Sequence, residues 1–466
     1  MVLFARPFSL AVHLNDTIVA LSTPPGRSGI GVIRLSGPHA LPLTRQLIDE
    51  PDFAPLRNQV VLKAIRDPES RHVLDQALIT HFQSPHSYTG EDVVELSCHG
   101  SPPLLLRLID ALLYLGARPA DPGEFTFRAL CNRRINRTQA EAVRDLIDAR
   151  THSSVLQAAR QLNGELSKRL QPVKDALIGI IVPLESALEF VEDDLPSDIT
   201  CHIVERLSTL RHELADFANT FHRGRLLKEG LRVTLVGRPN VGKSSIFNRL
   251  LSFDRAIVTN IPGTTRDTLS EVISIDDVPV LLSDTAGIRE SQDEVERLGV
   301  ERTRRAIVDA DLLIVILDGS QPLTVEDKEI INEAKGRRHF VVINKSDLVR
   351  APLPNLQALC DGPSILNISA KSGEGIASLH RAIIEPFSNH DVLETDFVIN
   401  NARHYDLLRR TISSLQESEV LIEQSASEEL VLVGLYNALR FLGEITGETT
   451  TEDVLTEIFS TFCIGK

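Results

Sequence analysis

Apolar residues along this chain change their spacing twice. Up to residue 132 they alternate with polar ones or form short β-branched runs. Residues 17–21 and 30–35 are strand-like and flank the turn-rich Thr23-Pro24-Pro25-Gly26-Arg27-Ser28-Gly29, which gives a hairpin with a long loop. A helix over 40–49, strands over 59–65, 76–82 and 92–98, and a helix over 103–115 complete an α+β domain. From Thr138 apolar residues recur three and four apart, as in Ala142, Leu146, Ala149, then Val155, Ala158, Leu162, and later Ile203, Leu207, Leu210, Leu214. That is the period of amphipathic helices. Pro196 and the acidic Glu192-Asp193-Asp194 mark a break between two of them, and after Pro386 the helical period resumes over 405–415, 418–424, 430–446 and 451–459. Strands and helices alternate between the two helical halves, as if one domain had been inserted into another.

The inserted part opens with Gly237-Arg238-Pro239-Asn240-Val241-Gly242-Lys243-Ser244, between the strand-like 231–236 and a helix-like 245–251. The spacing G-x-x-x-x-G-K-S lets backbone N–H groups wrap nucleotide phosphates, sets Lys243 against the β/γ oxygens and aims the Ser244 hydroxyl at Mg²⁺. Further elements follow in the order that a GTPase requires. Thr264-Thr265-Arg266-Asp267 offers a threonine hydroxyl to the Mg²⁺ shell. Asp284-Thr285-Ala286-Gly287, after the apolar 278–282, places a carboxylate near Mg²⁺ and the Gly287 N–H near the γ-phosphate. Asn344-Lys345-Ser346-Asp347 follows the strand-like 340–343, and its last carboxylate can accept both the ring N–H and the amine of guanine. Ser369-Ala370-Lys371, after 365–368, closes over the base. Each short motif alone is an ordinary surface turn; each behind its own strand or loop, together they favour GTP over ATP.

Ile288 follows Gly287, where Ras-type enzymes hold the glutamine that orients the attacking water. Carboxylates in 289–296 are the local substitutes, although a solvated helical face carrying Glu294, Glu296 and Arg297 accounts for most of them. No arginine finger stands out. Potassium can supply the missing positive charge where an oxygen ligand lies beside the phosphates, and Asn240 is such a ligand.

Length and charge refine this outline. A chain of 466 residues with 42% hydrophobic residues can bury more than one core. The net charge of −15 excludes a wholly basic surface, so nucleic acid would meet a local patch. Arg128, Arg133, Arg134 and Arg137 form such a run, with a solvated helix face as the plainer account and tRNA phosphate as the other. Cys98, Cys131, Cys201, Cys360 and Cys463 are scattered without C-x-x-C, which fits a reducing, cytoplasmic compartment. Cys98-His99 has no further ligand at zinc-like spacing, and Cys463 by itself reads as an exposed thiol. Residues 1–14 read as an uncleaved extension, and the apolar 176–184, which runs into Pro183, is far short of a membrane span.

With these residues in view, the chain resembles the MnmE (TrmE) family of tRNA-modification GTPases, within the TrmE-Era-EngA-like group, over nearly its full length. The similarity lies in Thr23–Arg27, in Ser87-Tyr88-Thr89-Gly90-Glu91-Asp92 and in Pro122-Gly123-Glu124-Phe125. It continues through residues 237–245, 263–267 and 284–296 and the terminal Cys463-Ile464-Gly465-Lys466. The resemblance implies a multidomain α/β plus α architecture. Its parts are an N-terminal α+β folate-binding and dimerisation domain (1–132), a discontinuous α-helical domain (133–229 and 388–466) and an inserted Ras-like P-loop GTPase domain (230–387). It implies a homodimer working with an MnmG-type FAD protein, as a heterotetramer, on the wobble uridine of certain tRNAs, with no membrane involved. An aminomethyl or carboxymethylaminomethyl group would be installed at C5, with a 5-formyl-tetrahydrofolate-type carbon donor.

Nucleotide contacts are then expected from Asn240, Val241, Gly242, Lys243, Ser244, Ser245, Thr259, Asn260, Ile261, Pro262, Gly263, Thr264, Thr265, Asp284, Thr285, Ala286, Gly287, Asn344, Lys345, Asp347, Ser369, Ala370 and Lys371. Ser244 and Thr265 would bind Mg²⁺, with Asp284 indirect, and Asn240, Thr259, Ile261 and Thr264 would hold K⁺. Lys243 and Glu296 would serve hydrolysis, Glu296 by ordering water. Arg34, Glu95, Arg134 and Lys466 would contact the folate, and Cys463 would serve tRNA modification. Val241 stands where alanine is commoner and Arg134 where some members carry lysine; both keep the chemistry. A regulatory GTPase switch in ribosome assembly or trafficking is the competing reading, but it has no evident use for the N-terminal domain or for Cys463–Lys466.

Overall fold

The computed structural model describes residues 15–189, 197–253, 270–284, 308–351, 365–387 and 397–447. The readings for 1–14 and 451–459 lie outside them. The chain divides into two compact units, one of residues 1–144, 161–203 and 417–466, the other of 145–160 and 204–416.

The first unit is built on a sheet of β1 (Ile18–Leu21), β2 (Ile30–Ser36), β3 (Val60–Arg66), β4 (Val73–Phe82), β5 (Val93–His99) and β6 (Arg118–Pro119), in the order β3-β4-β5-β2-β1-β6. Its pairs are antiparallel except β1–β6. The alternation read in the sequence is the pleat itself. Ile33, Leu35, Ile79 and Leu96 point to one face and are buried with Leu43 and Leu47 of the helix Ala40–Ile48 and Leu108 of the helix Pro102–Tyr114. Each such side chain contributes about 1.5–3 kcal/mol over exposure. The opposite face carries Val32 and Arg34 on β2 and Glu95 and Ser97 on β5, in direct register. It is covered near β1 by Phe125 of the helix Glu124–Cys131, which packs with Ile18, Ala20 and Tyr88. Towards β3 that face is open, with Val60, Leu62 and Leu78 exposed.

The helical part of this unit includes Glu165–Glu189, which packs against Glu428–Thr446. Pro183, read as the end of an apolar stretch, lies inside that helix, as does Pro172. No described helix is long and apolar enough to cross a membrane. The segments 405–415 and 418–424, read as separate helices, form one, Ala402–Glu423; Gln416 and Glu417 between them are good helix formers and no glycine or proline interrupts.

The second unit has β7 (Leu231–Val236), β8 (Ser270–Ile275), β9 (Val278–Asp284), β10 (Leu312–Asp318), β11 (His339–Asn344) and β12 (Ile365–Asn367), in the order β12-β11-β10-β7-β9-β8. All pairs are parallel except β8–β9. Leu312, Ile314 and Ile316 of β10 face one core, with Ile246 and Leu250 of the helix Lys243–Phe253 and Leu379 of Ile376–Ile384. Leu313, Val315 and Leu317 face another, with Ile331 of Val325–Ala334. A sheet covered on both sides reads as unbroken apolar runs. β7 leads on one side to β9 and lies on the other beside β10, so the loop after β7 stands at the switch point of the strand order, where such sheets bind ligands. Asp276 and Asp277, at φ 48° and 62°, make the tight turn from β8 to β9. The Asp277 carboxylate accepts the N–H groups of His152 (3.0 Å) and Ser153 (2.6 Å) and so caps the helix His152–Leu162.

Candidate functional site

The loop 237–242 turns from β7 into the helix that begins at Lys243. Asn240 at φ 64° and Gly242 at φ 99° curl it into a cradle of N–H groups. A Cβ on Gly242 would lie 2.2 Å from Asn344 Nδ2, and one on Gly237 would lie 2.5 Å from the Ile316 carbonyl oxygen, so both positions exclude a side chain. Lys243 Nζ lies across the loop and donates to the carbonyls of Gly237 (2.7 Å) and Arg238 (2.9 Å). The Ser244 hydroxyl donates to Asp284 Oδ2 at 2.8 Å. Two residues 40 apart thus place a hydroxyl and a carboxylate side by side, a donor set of hard oxygens that suits Mg²⁺.

The base end is tied to the phosphate end. Asn344 Nδ2 donates to the Val241 carbonyl (2.8 Å) while its Oδ1 accepts from Ala370 N (3.1 Å), so one side chain joins the cradle to the 369–371 loop. Lys345 Nζ donates to the Asn240 carbonyl (3.1 Å) and to Asp318 Oδ2 (2.6 Å). Burial alone would raise the Asp318 carboxyl, but Lys345 and Ser320 hold it below its ordinary pKa. The Ser369 hydroxyl donates to Asp347 Oδ1 at 2.6 Å and is the main reason that this carboxyl too stays below its usual range. Asp347 is therefore fixed as an acceptor-only carboxylate. Val241 is buried, while the side chains of Ser244, Ser245 and Asn240 are exposed. The expected site residues Thr259, Asn260, Ile261, Pro262, Gly263, Thr264, Thr265, Thr285, Ala286, Gly287 and Glu296 lie outside the described residues.

Arg249 is a member of this site that motif reading passed over. From the helix Lys243–Phe253 it donates through Nε to the Ala370 carbonyl (3.1 Å) and through Nη2 to that of Lys371 (2.6 Å). Its acceptors are backbone oxygens, which leave no side-chain signature. Arg238, within the phosphate loop, reaches side-chain oxygens instead, Gln321 Oε1 at 2.7 Å and Asp327 Oδ2 at 3.3 Å.

In the first unit, Arg34 and Glu95 stand opposite each other on β2 and β5 and form an ion pair at 2.8 Å. The guanidinium lies 5.7 Å from the Tyr88 ring centre and 5.6 Å from that of Phe125. Burial raises the Tyr88 hydroxyl pKa, and that group shares a hydrogen bond of 2.8 Å with Thr126. Arg134 is exposed and donates to the Ser87 carbonyl at 3.2 Å, one residue from Tyr88. Three of the four folate candidates are thus gathered around one segment; Lys466 and Cys463 lie outside the described residues.

The basic run is not one solvated face. Arg133 and Arg134 are exposed, but Arg128 is 0% exposed and pairs with Asp16, Glu91 and Glu124, and Arg137 is buried beside Glu141. Burial opposes the Arg128 charge, yet the carboxylates outweigh it and its pKa rises. The cause is topological: Arg128 sits on the inner side of the helix Glu124–Cys131, where Asp16, just before β1, and Glu91, in the loop between β4 and β5, meet it.

A doubly covered, mainly parallel sheet with a G-x-x-x-x-G-K-S loop at its switch point, joined to an Asn-Lys-x-Asp segment, defines a P-loop nucleotide-binding protein of the GTPase class. The MnmE helical domain family matches residues 138–463, and the GTP-binding protein TrmE N-terminus family matches residues 17–134. The tRNA modification GTPase MnmE of Koribacter versatilis is 45% identical over 458 residues, covering 98% of this chain and 100% of that relative. Those of Acetivibrio thermocellus (39%, 98% and 100%) and Aquifex aeolicus (40%, 97% and 100%) align similarly. The chain belongs to the MnmE family.

Proposed function

We propose that this protein hydrolyses GTP in the service of tRNA modification, with an MnmG-type flavoprotein partner and a formyl-tetrahydrofolate-type carbon donor, at the wobble uridine. The observation that carries the nucleotide half is the Asn344 bridge from the Val241 carbonyl to Ala370 N, which holds phosphate cradle and base loop in one register. Ser244 and Thr265 would hold Mg²⁺, with Asp284 behind them; bound there, the ion neutralises charge on the β- and γ-phosphates. Lys243 supplies a second positive charge from the cradle, and Asp347 reads the guanine edge. Asn240, with Thr259, Ile261 and Thr264, would hold K⁺, and Glu296 would order water.

The folate half rests on Arg34 and Glu95. A carboxylate oriented by a guanidinium is an acceptor for the ring N–H and amine of a pterin, and Arg34 and Arg134 offer charge to anionic groups. This pair shares its sheet face with the exposed Val60, Leu62 and Leu78, an apolar surface that a second subunit would cover and that supports a homodimer through residues 1–132. The helical domain (133–229, 388–466) would frame the GTPase domain (230–387), and Cys463 would serve the modification rather than hydrolysis.

Mass spectrometry of tRNA from cells lacking the gene tests the whole: loss of the C5 group on wobble uridine is expected, and unchanged uridine overturns the reading. Hydrolysis should run faster in potassium than in sodium buffer; equal rates remove the potassium site. Cys463→Ser should abolish modification and leave GTP turnover, and joint loss would contradict separate centres.

A further inference from the structure

We propose that Arg249 is the positioning residue that turns the 370–371 peptide so that the guanine loop presents a donor, and not an acceptor, to the base; this rests on the guanine reading of the site. Two carbonyls, of Ala370 and Lys371, point at one guanidinium, at 3.1 Å and 2.6 Å. In a trans peptide the C=O and the next N–H are antiparallel, so fixing the Ala370 carbonyl on Arg249 sends the Lys371 N–H the opposite way. The rest of the loop's polarity is already assigned. Ala370 N donates to Asn344 Oδ1, Ser372 N to Ser369 Oγ (3.1 Å), and Gly373 N to the Ser369 carbonyl (2.8 Å). Gly373, at φ 90°, runs alongside the guanidinium, where a Cβ would lie 3.6 Å from Arg249 Cζ.

A guanine whose N1–H and amine are taken by the Asp347 carboxylate has its 6-oxo group next in line. The Ser369–Asp347 bond holds the loop beside that carboxylate. A loop with the 370–371 peptide flipped would set a carbonyl oxygen against another oxygen and be repelled. Arg249 holds the unflipped 370–371 peptide with one charge-assisted hydrogen bond, to the Ala370 carbonyl, and the following peptide with a second, to the Lys371 carbonyl, so the loop is in its binding geometry beforehand and affinity is not spent on turning it. Arg249 itself need not touch the nucleotide.

The test is titration of the full chain, in Mg²⁺ buffer, with GDP and with 6-thioguanosine diphosphate, which keeps the phosphates, ribose, N1–H and amine but replaces the 6-oxo oxygen with a sulfur that accepts hydrogen bonds far more weakly. Arg249→Ala should weaken GDP about tenfold, the loss of one good hydrogen bond, and leave the analogue within about twofold. Arg249→Lys, which keeps one charged donor, should recover part of the loss. Equal weakening of both nucleotides, or none, overturns the proposal, because a merely structural arginine does not distinguish the two bases. If the alanine variant does not fold, Arg249→Gln decides by the same comparison. A wild-type chain that does not bind GDP overturns the guanine reading, and with it this inference.

Discussion

The two sheets solve the burial of a site in opposite ways. In the parallel sheet of the second unit β10 is buried along its whole length, and the chemistry is pushed to the loops at the strand ends. In the antiparallel sheet of the first unit β3 alternates exposed and covered residues, and Arg34 and Glu95 stand in mid-strand, half-buried, with Phe125 and Tyr88 against Arg34. A loop site draws on consecutive residues and backbone N–H groups. A mid-strand site draws on register, and Arg34 meets Glu95 across 61 positions of sequence. The first kind depends on backbone torsions, the second on pairing, and substitutions should separate them.

The largest effect should come from the buried ions that anchor the first unit. Glu124 and Arg128 are each 0% exposed and paired at 2.9 Å, and Arg118 joins them at 2.6 Å. Glu124→Gln leaves two guanidinium groups short of charge and should cost about 3–5 kcal/mol, a large part of a domain's stability. Urea unfolding followed by a probe in each unit would show this, with the first transition moving and the second holding; movement of both together would mean that the units unfold as one.

Next comes a change in the cradle. Gly242→Ala should weaken GDP by about a hundredfold, since the new Cβ meets Asn344 Nδ2 and the φ of 99° is strained for alanine. Urea stability of the first unit should not change. Titration with GDP checks it, and near wild-type affinity would show that the loop relaxes.

The smallest effect is an acid one in the first unit. Asp67 is held at about 2, first by the N–H of Ser70 and then by Arg107 and the N–H of Glu69, against a usual 3.8. A lowered folded-state pKa stabilises above the unfolded value, and that share is lost as pH falls from 3.8 towards 2. Asp67→Asn should flatten the stability curve only in that window; an unchanged curve would mean that Arg107 and the turn contribute nothing there.

The sequence by itself determined the GTPase class and the strand-to-loop setting of its phosphate and base motifs. Gly242, Lys243, Ser244, Asn344 and Asp347 each lie in a short motif behind an apolar run, because a strand that is buried on both faces ends where its loop begins. It also marked β1 to β5 of the first sheet to within a few residues, since their pleat shows as alternation, while the two-residue β6 left no pattern. What it could not hold was partnership at a distance. That Arg128 is buried among three carboxylates while Arg133 and Arg134 face water was settled by Arg128 taking the inner side of the helix Glu124–Cys131 while the other two stand in the turn after it. That Pro183 sits within a helix, and that Arg249 grips two backbone carbonyls, depended on packing and on atoms common to every residue. Local motifs carry the chemistry of contiguous loops; ion pairs across a sheet, and arginines bound to the backbone, exist only once the tertiary fold has chosen their neighbours.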